Sequence, residues 1–279
     1  MRPSDALGPG EPADLSLWVV RPPRPDTPAA SRLAVGELDA SETGRAGRFV
    51  RPQDRVQYLA AHIALRRVLA ARAGCPPGAL RLGREPGPPG TRFTGRPVLV
   101  DPPAPVHLSL SHSHGLILIG TASVVVGVDV QRVPTQKTVE LCGPSLHPAE
   151  WSELAKRPAA RQPAAFGQLW ARKEAYLKGL GTGLRRSPAL DYVGDAADLC
   201  APPHPFGWIV RDVPVGSRHT AAAALAVATE PTITLRSLPV SCLYGGDAGQ
   251  PLSAAPLLAW RRKGSWTLRW SSWERALRG

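Results

Sequence analysis

Between residues 97 and 130 four apolar runs follow one another at intervals too short for helices: Pro97–Val100, Val106–Ser111, Leu116–Thr121 and Val124–Val130. A helix needs ten or more residues to bury a face, whereas a strand needs four to eight. Turn-forming residues bound the runs at Pro102-Pro103, His114-Gly115 and Ala122-Ser123. The spacing predicts a β-meander. This stretch limits the chain to folds that contain a sheet.

What flanks the meander is helical. Residues 53–73 carry Val56, Leu59, Ala60 and Ile63 at helical spacing and stop at Gly74 and Pro76-Pro77. That periodicity puts Arg66 and Arg67 outside the apolar stripe. Further upstream, Leu15–Val20 reads as a strand ended by Pro22-Pro23, and Ser41–Phe49 as a short helix with Ser41 as its N-cap. Beyond Arg132 the texture is helical again, over Pro148–Lys156 and Ala164–Leu180, before a late strand over Ala221–Thr229. Strands and helices therefore recur on both sides of residue 132, which predicts an α/β (α+β) chain of two related halves. The expected organisation is a loose Pro/Gly-rich segment over 1–14, one half over 15–132, a second over 133–230, and a basic, Trp-rich extension over 231–279. Leu257–Trp260 and Trp266–Trp270 alternate as strands within that extension.

Composition excludes several classes. With 43% hydrophobic residues in 279, the chain can bury a sizeable core, so global disorder is excluded. The 31 prolines and 27 glycines show no G-X-Y period, and no repeat of 20–50 residues marks a solenoid. The charge of +12 arises mainly from arginine and reads either as compositional bias or as affinity for an acidic partner. No block of six like charges occurs, so a nucleic-acid-binding tail is not expected. Cys75, Cys142, Cys200 and Cys242 form no C-x-x-C pair, against a cysteine zinc site. The first residues lack the apolar core of a signal peptide, and the longest apolar stretch, Leu116–Val128, is too short to span a bilayer. A soluble, cytoplasmic protein with no membrane contact is expected.

Three segments carry candidate chemistry. Asp129 ends the apolar run Val124–Val130, where a carboxylate is costly unless it is paired or bound to a metal; a strand-exit cap is the ordinary alternative. Glu174 and Lys178 stand four apart in Trp170-Ala171-Arg172-Lys173-Glu174-Ala175-Tyr176-Leu177-Lys178 and share a helix face, as a surface ion pair also would. Ser109-Leu110-Ser111-His112-Ser113 offers hydroxyls and imidazoles to a phosphate. A Ser/His hydrolase is disfavoured because no G-x-S-x-G elbow precedes a helix. The glycines of Gly179–Leu184 follow a helix instead of opening one, so they read as a C-cap and not as a phosphate loop.

Together these segments resemble the Sfp-type 4′-phosphopantetheinyl transferases, in the branch with Trp and Lys-Glu-Ala in the helix motif. That family has G-[VI]-D, a gap of about 40–50 residues, and [WF]-x-x-K-E-[AS]-x-x-K. Here Gly127-Val128-Asp129 is followed 41 positions after Asp129 by Trp170. Gly95-Arg96-Pro97 resembles the family's G-[KR]-P, and Ser109–Ser113 its N-[IL]-S-H-S. The likeness spans about residues 15–230.

The resemblance implies a pseudo-dimer of two α/β halves with the active site between them. It implies Mg²⁺-dependent transfer of phosphopantetheine from coenzyme A to a serine of an acyl or peptidyl carrier protein, with release of 3′,5′-ADP. Asp129 and Glu174 would hold the metal, Glu174 would act as base, and Lys178 would neutralise phosphoryl charge. Arg45, Gly95, Arg96, Pro97, Ser111, His112 and Lys178 would hold coenzyme A. An acidic carrier of fatty-acid, polyketide or nonribosomal peptide type and a monomeric enzyme are implied as well. The chain departs from the family pattern at Ser109 (Asn), at Glu42 (a basic residue in some relatives) and at Gln131. Many members have a second acid at that last position, so either Gln131 or a water completes the metal shell. Gln131 also keeps open a non-catalytic relative that binds coenzyme A or a carrier protein.

Overall fold

The computed structural model describes residues 13–87, 94–195, 201–246, 256–261 and 265–268, the last two as backbone strands. The expected loose segment over 1–14 lies almost wholly outside the described residues. In chain order the elements are β1 (Asp14–Val20), α1 (Pro28–Ser31), α2 (Ala40–Ala46), α3 (Pro52–Ala73), β2 (Arg81–Pro86), β3 (Thr94–Asp101), β4 (His107–Ser113), β5 (Leu116–Ala122) and β6 (Val126–Arg132). There follow α4 (Gln136–Cys142), α5 (Pro148–Ala155), α6 (Gln162–Leu180), β7 (Ile209–Asp212), β8 (His219–Leu225), β9 (Thr232–Leu238), β10 (Pro256–Arg261) and β11 (Ser265–Leu268). The fold is mixed α/β, with several sheets.

One sheet has the order β11-β10-β9-β1-β5-β4; a second has β6-β8-β7; β2 and β3 form a separate hairpin. β1 pairs antiparallel with β5 and parallel with β9. All seven residues of β5 are buried. The pleat explains this, since successive side chains point to opposite faces. Ile117 and Ile119 join the core under α3, while Leu116 and Leu118 join the core shared with Val126, Val128 and Val130 of β6. β5 is thus sandwiched, and reads as a continuous apolar run for that reason. The chain after residue 230 returns to this sheet: β9 lies directly against β1, with Ile233 and Leu235 fully buried.

The four apolar runs do form strands, but the meander is confined to one pair. β4 and β5 join through His114 (φ 43°) and Gly115 (φ 80°), two left-handed residues that make the tight hairpin turn. β3 pairs with β2, and β6 with β8. β6 lies beside β4 without pairing with it in a ladder. Instead, Val128, Val130 and Arg132 donate their backbone N–H groups to the hydroxyls of Ser109 (2.9 Å), Ser111 (3.2 Å) and Ser113 (3.1 Å). Alternate serines on one face of β4 stand between the strands and satisfy the amides that a neighbouring backbone would otherwise take.

Two local expectations are corrected. The N-cap of α2 is Asp39, whose side chain accepts from Glu42 N while Glu42 accepts from Asp39 N, a capping box. Arg66 and Arg67 are buried, at 1% and 5% exposure. Arg66 reaches Glu42 (2.7 Å), Asp39 (2.9 Å) and the carbonyls of Pro77 and Leu80; Arg67 chelates Glu37 and reaches the carbonyls of Cys242 and Tyr244. Full pairing is what permits a guanidinium inside.

α6 is set directly on β6. A Cβ at Gly127 would fall 2.0 Å from the Ala175 carbonyl oxygen and 2.5 Å from Gly179 N, so any side chain there would push helix and strand apart. The helix ends where Gly181 (φ 75°) donates to Lys178 O and Thr182 N to Leu177 O, the glycine C-cap expected for this run.

Candidate active site

Contact between α6 and β6 brings the sequence-predicted residues together. Asp129, on β6, is 1% exposed, and both of its oxygens are engaged. Oδ1 accepts from Ser111 Oγ (2.7 Å) and from Lys178 Nζ (2.5 Å), while Oδ2 accepts from Gln131 Nε2 (2.9 Å). Lys178 Nζ also donates to Ser111 Oγ at 3.0 Å. A buried carboxylate is tolerable on these terms: one cation and two neutral donors replace the lost water. The alternative of a strand-exit cap fails, because Asp129 binds side chains from β4, β6 and α6 and not the backbone of its own turn.

Glu174 lies one helical turn before Lys178 and is half-buried. Among the described residues no donor reaches its carboxylate. Burial raises its pKa above the ordinary carboxylate value, the charge of Asp129 raises it further, and Lys178 opposes both. The site therefore holds one carboxylate that accepts from three donors and another that is bare and reluctant to ionise.

This donor set fits a hard divalent cation. Two carboxylates stand near enough for the charge of Asp129 to bear on Glu174, one of them already charge-balanced by an ammonium, and oxygen is the ligand that Mg²⁺ prefers. No cluster of three or more His, Cys, Asp or Glu occurs among the described residues, so further ligands would come from substrate and water. Gln131 spends its amide N–H on Asp129. That contact makes it a holder of the carboxylate.

The residues expected to hold phosphates are arranged around this centre. His112 follows Ser111 at the exposed end of β4. Its Nδ1 lies 3.1 Å from Gln57 Nε2 of α3, and Gln57 Oε1 accepts from Gly115 N at 2.9 Å. Partial desolvation lowers the pKa of His112, and the charges of His62, Lys178 and Arg45 lower it further. Arg45, on α2, stands over the Tyr58 ring at 5.8 Å and lines an open groove of about 540 Å³ with Ser41, Gly44, Arg48 and Phe49. Gly95, Arg96 and Pro97 lie on β3. There Arg96 makes a two-pronged ion pair with Glu85 (2.9 and 2.7 Å) and reaches Gly179 O at 3.3 Å, tying the β2–β3 hairpin to the last turn of α6.

Four residues take part in ways the sequence did not announce. Gln57 braces His112. Glu42 binds Arg66 and His62 beneath the helix that carries Arg45. Glu150 pairs with the fully buried Lys173 at 2.8 Å and accepts from Val193 N. Ser113 completes the serine series. The period-2 spacing of Ser109, Ser111 and Ser113 was one available signal, and the three-residue spacing of the Asp39–Glu42 capping box another. The partners that give Gln57, Glu42 and Glu150 their place at the site lie 20 or more positions away.

Residues 125–203, which contain β6 and α6, match the model of the 4′-phosphopantetheinyl transferase superfamily. The chain is 31% identical over 172 residues to a putative 4′-phosphopantetheinyl transferase of Synechocystis, covering 60% of this chain and 65% of that protein. It is 29% identical to the 4′-phosphopantetheinyl transferase HetI of Nostoc, over 62% of this chain and 71% of the relative. It is 25% identical to a 4′-phosphopantetheinyl transferase of Bacillus subtilis, over 61% and 72%. The match thus spans roughly two thirds of the length of these relatives.

Proposed function

We propose that the chain is a member of the 4′-phosphopantetheinyl transferase superfamily that its residues 125–203 match, and that it transfers the 4′-phosphopantetheine arm of coenzyme A to a serine of an apo carrier protein. The observation that carries this reading is the convergence of Ser111, Asp129 and Lys178, with the unpartnered Glu174 one turn away.

The reaction forms a bond between the serine oxygen and the phosphorus that bears pantetheine. It breaks the pyrophosphate bond, with 3′,5′-ADP leaving. Glu174 is the base: no donor among the described residues reaches its carboxylate, and its raised pKa suits it to accept the serine proton. Lys178 already donates to Asp129 and Ser111; its third N–H is left for a phosphoryl oxygen, where it offsets developing charge. Asp129 is the poorer base, since its charge is balanced by Lys178 and it already accepts from three donors; the remaining lone pair on Oδ2 is what it could offer a cation. Held by Asp129 and Glu174, Mg²⁺ would supply further neutralisation of the pyrophosphate. Ser111, His112, Arg45 and the Gly95-Arg96-Pro97 strand are the proposed coenzyme A contacts, with Arg96 sharing its guanidinium between Glu85 and ligand.

The charge of +12 suits both a polyanionic substrate and an acidic carrier, of fatty-acid, polyketide or nonribosomal peptide type. No helix among the described residues is long and apolar enough to cross a membrane. The reading extends to a cytoplasmic monomer whose two halves flank the site, without nucleic acid as a partner. The test is to incubate the protein with coenzyme A, Mg²⁺ and a panel of apo carriers, and to weigh the carriers intact. A carrier that gains one phosphopantetheine arm, and does not gain it when Mg²⁺ is chelated, is the expected result. No gain on any carrier, with coenzyme A bound, would replace this reading with that of a non-catalytic relative.

A further inference from the structure

We propose that Gln57 is a positioning residue that fixes the tautomer of His112, so that His112 presents a neutral Nε2–H donor to a phosphate of coenzyme A. The ligand in this proposal rests on the function proposed above; the tautomer does not.

The argument starts from a backbone amide. Gly115 N can only donate, and it lies 2.9 Å from Gln57 Oε1. That contact settles which end of the Gln57 amide is oxygen. The other end is then an NH₂ group, and it faces His112 Nδ1 at 3.1 Å. An NH₂ group donates and does not accept, so Nδ1 must offer its lone pair. In a neutral imidazole the proton is then on Nε2. Gln57 is itself held from both sides. It is buried (9% exposed) on a 22-residue helix, and its partner Gly115 sits in the tight turn that closes the β4–β5 hairpin. His112, by contrast, lies at the exposed end of its strand beside Ser111.

The surroundings keep the ring neutral. The charged groups that bear on it are Arg45 from α2, His62 from α3 and Lys178 from α6, all of them cationic when charged. A second proton on His112 would be repelled by each. The positive charge for a polyanion is supplied by Arg45 and Lys178, and His112 contributes direction. Nothing in the sequence marks Gln57, because its two partners lie 55 and 58 positions away.

The isosteric change Gln57→Glu tests this. A carboxylate at that position still accepts from Gly115 N, but its second oxygen needs a proton from Nδ1, so the tautomer should invert. Imidazole ¹⁵N spectra of the full chain, with His112→Asn to assign the signal, read this directly. At pH 8 the wild-type ring should carry its proton on Nε2, and the Gln57→Glu ring on Nδ1. Calorimetric titration with coenzyme A should show binding weakened about tenfold at pH 8 in Gln57→Glu, the loss of one hydrogen bond. The loss should shrink at pH 6, where the variant imidazolium carries both N–H groups. A purely structural role would leave the tautomer unchanged and weaken binding equally at both pH values.

An Nδ1-protonated wild-type ring would overturn the proposal even if the variant fails to fold. An unchanged tautomer in a folded Gln57→Glu would overturn the role of Gln57. Inversion without any change in affinity would overturn the role of the donor in binding. If wild type binds no coenzyme A, the proposed function and the ligand half fail together, while the spectra still decide whether Gln57 sets the tautomer.

Discussion

Lys173 and Glu174 are neighbours on α6 with opposite duties. Lys173 is fully buried, with its ammonium on Glu150 (2.8 Å) and on the Asp191 carbonyl, and it holds α6 to α5 and to the segment leading to Val193. Burial lowers its pKa and Glu150 opposes that fall, as expected of a cation kept inside by one partner. Glu174 has no such partner and faces the site. Replacement of each should therefore fail in a different way. Lys173→Ala leaves Glu150 as an uncompensated buried charge and should cost roughly 3–5 kcal/mol, read from urea unfolding. Glu174→Gln keeps shape and fold but cannot take a proton. Its transfer rate should fall by about 10²–10⁴-fold at unchanged stability. Near-wild-type turnover in Glu174→Gln would remove it from the role of base.

At the scale of elements, side-chain contacts decide where the helices sit, and two of them make measurable claims. α6 can lie on β6 only because Gly127 has no Cβ, the nearest atoms being backbone of Ala175 and Gly179. Backbone cannot rotate away as a side chain does, so Gly127→Ala should destabilise by about 1–3 kcal/mol. It should also lower the transfer rate, because Asp129 and Lys178 ride on the two elements being separated. A stable and fully active Gly127→Ala would contradict the contact. α2 is held to α3 through Glu42, which binds Asp39 N, His62 and Arg66. Burial pushes the Glu42 pKa up, but these partners outweigh it and hold it below its ordinary value of 4.5. A carboxyl whose folded pKa is depressed contributes stability that is complete above 4.5 and is lost as pH falls through the lower folded value. Glu42→Gln should cost about 2 kcal/mol at pH 7 and remove that part of the acid loss. Urea melts at pH 7 and pH 4 check it: if wild type and variant lose stability in parallel on acidification, Glu42 is not the group responsible.

For the whole molecule, what was legible in the sequence was what repeats locally. The strand runs, the helix over 53–73 and its Gly74 stop, and the glycine cap after α6 depend on neighbours in the chain, and each is seen near its expected place. Pairing is not a local property. The run 124–130 looks like the fourth strand of a meander until β8, about ninety residues later, supplies its partner. Arg66 and Arg67 look solvent-facing until Glu37, Asp39 and Glu42 are brought to them. The site was legible in part because Asp129, Glu174 and Lys178 resemble a known pattern, whereas Gln57 has meaning only through a turn in another element.

The same logic applies beyond residue 230, where composition marks a basic, Trp-rich extension and the described strands β9, β10 and β11 pair within the sheet of β1. β9 is parallel to β1 over seven residues, and Ile233 and Leu235 are in the core with Leu15 and Leu17. Tyr244 and Cys242 lend their carbonyls to Arg67. A chain stopped after Glu230 would therefore lose a neighbour of β1, expose the apolar edge of a central strand and strip two acceptors from a buried guanidinium. It should not fold cooperatively. A chain stopped after Gly246 keeps β9 and both carbonyls and loses only β10, β11 and what joins and follows them. It should fold, and circular-dichroism melts of the two truncations compare them directly. If the shorter chain melts cooperatively near the wild-type temperature, β9 is dispensable and the region beyond residue 230 is an appendage after all.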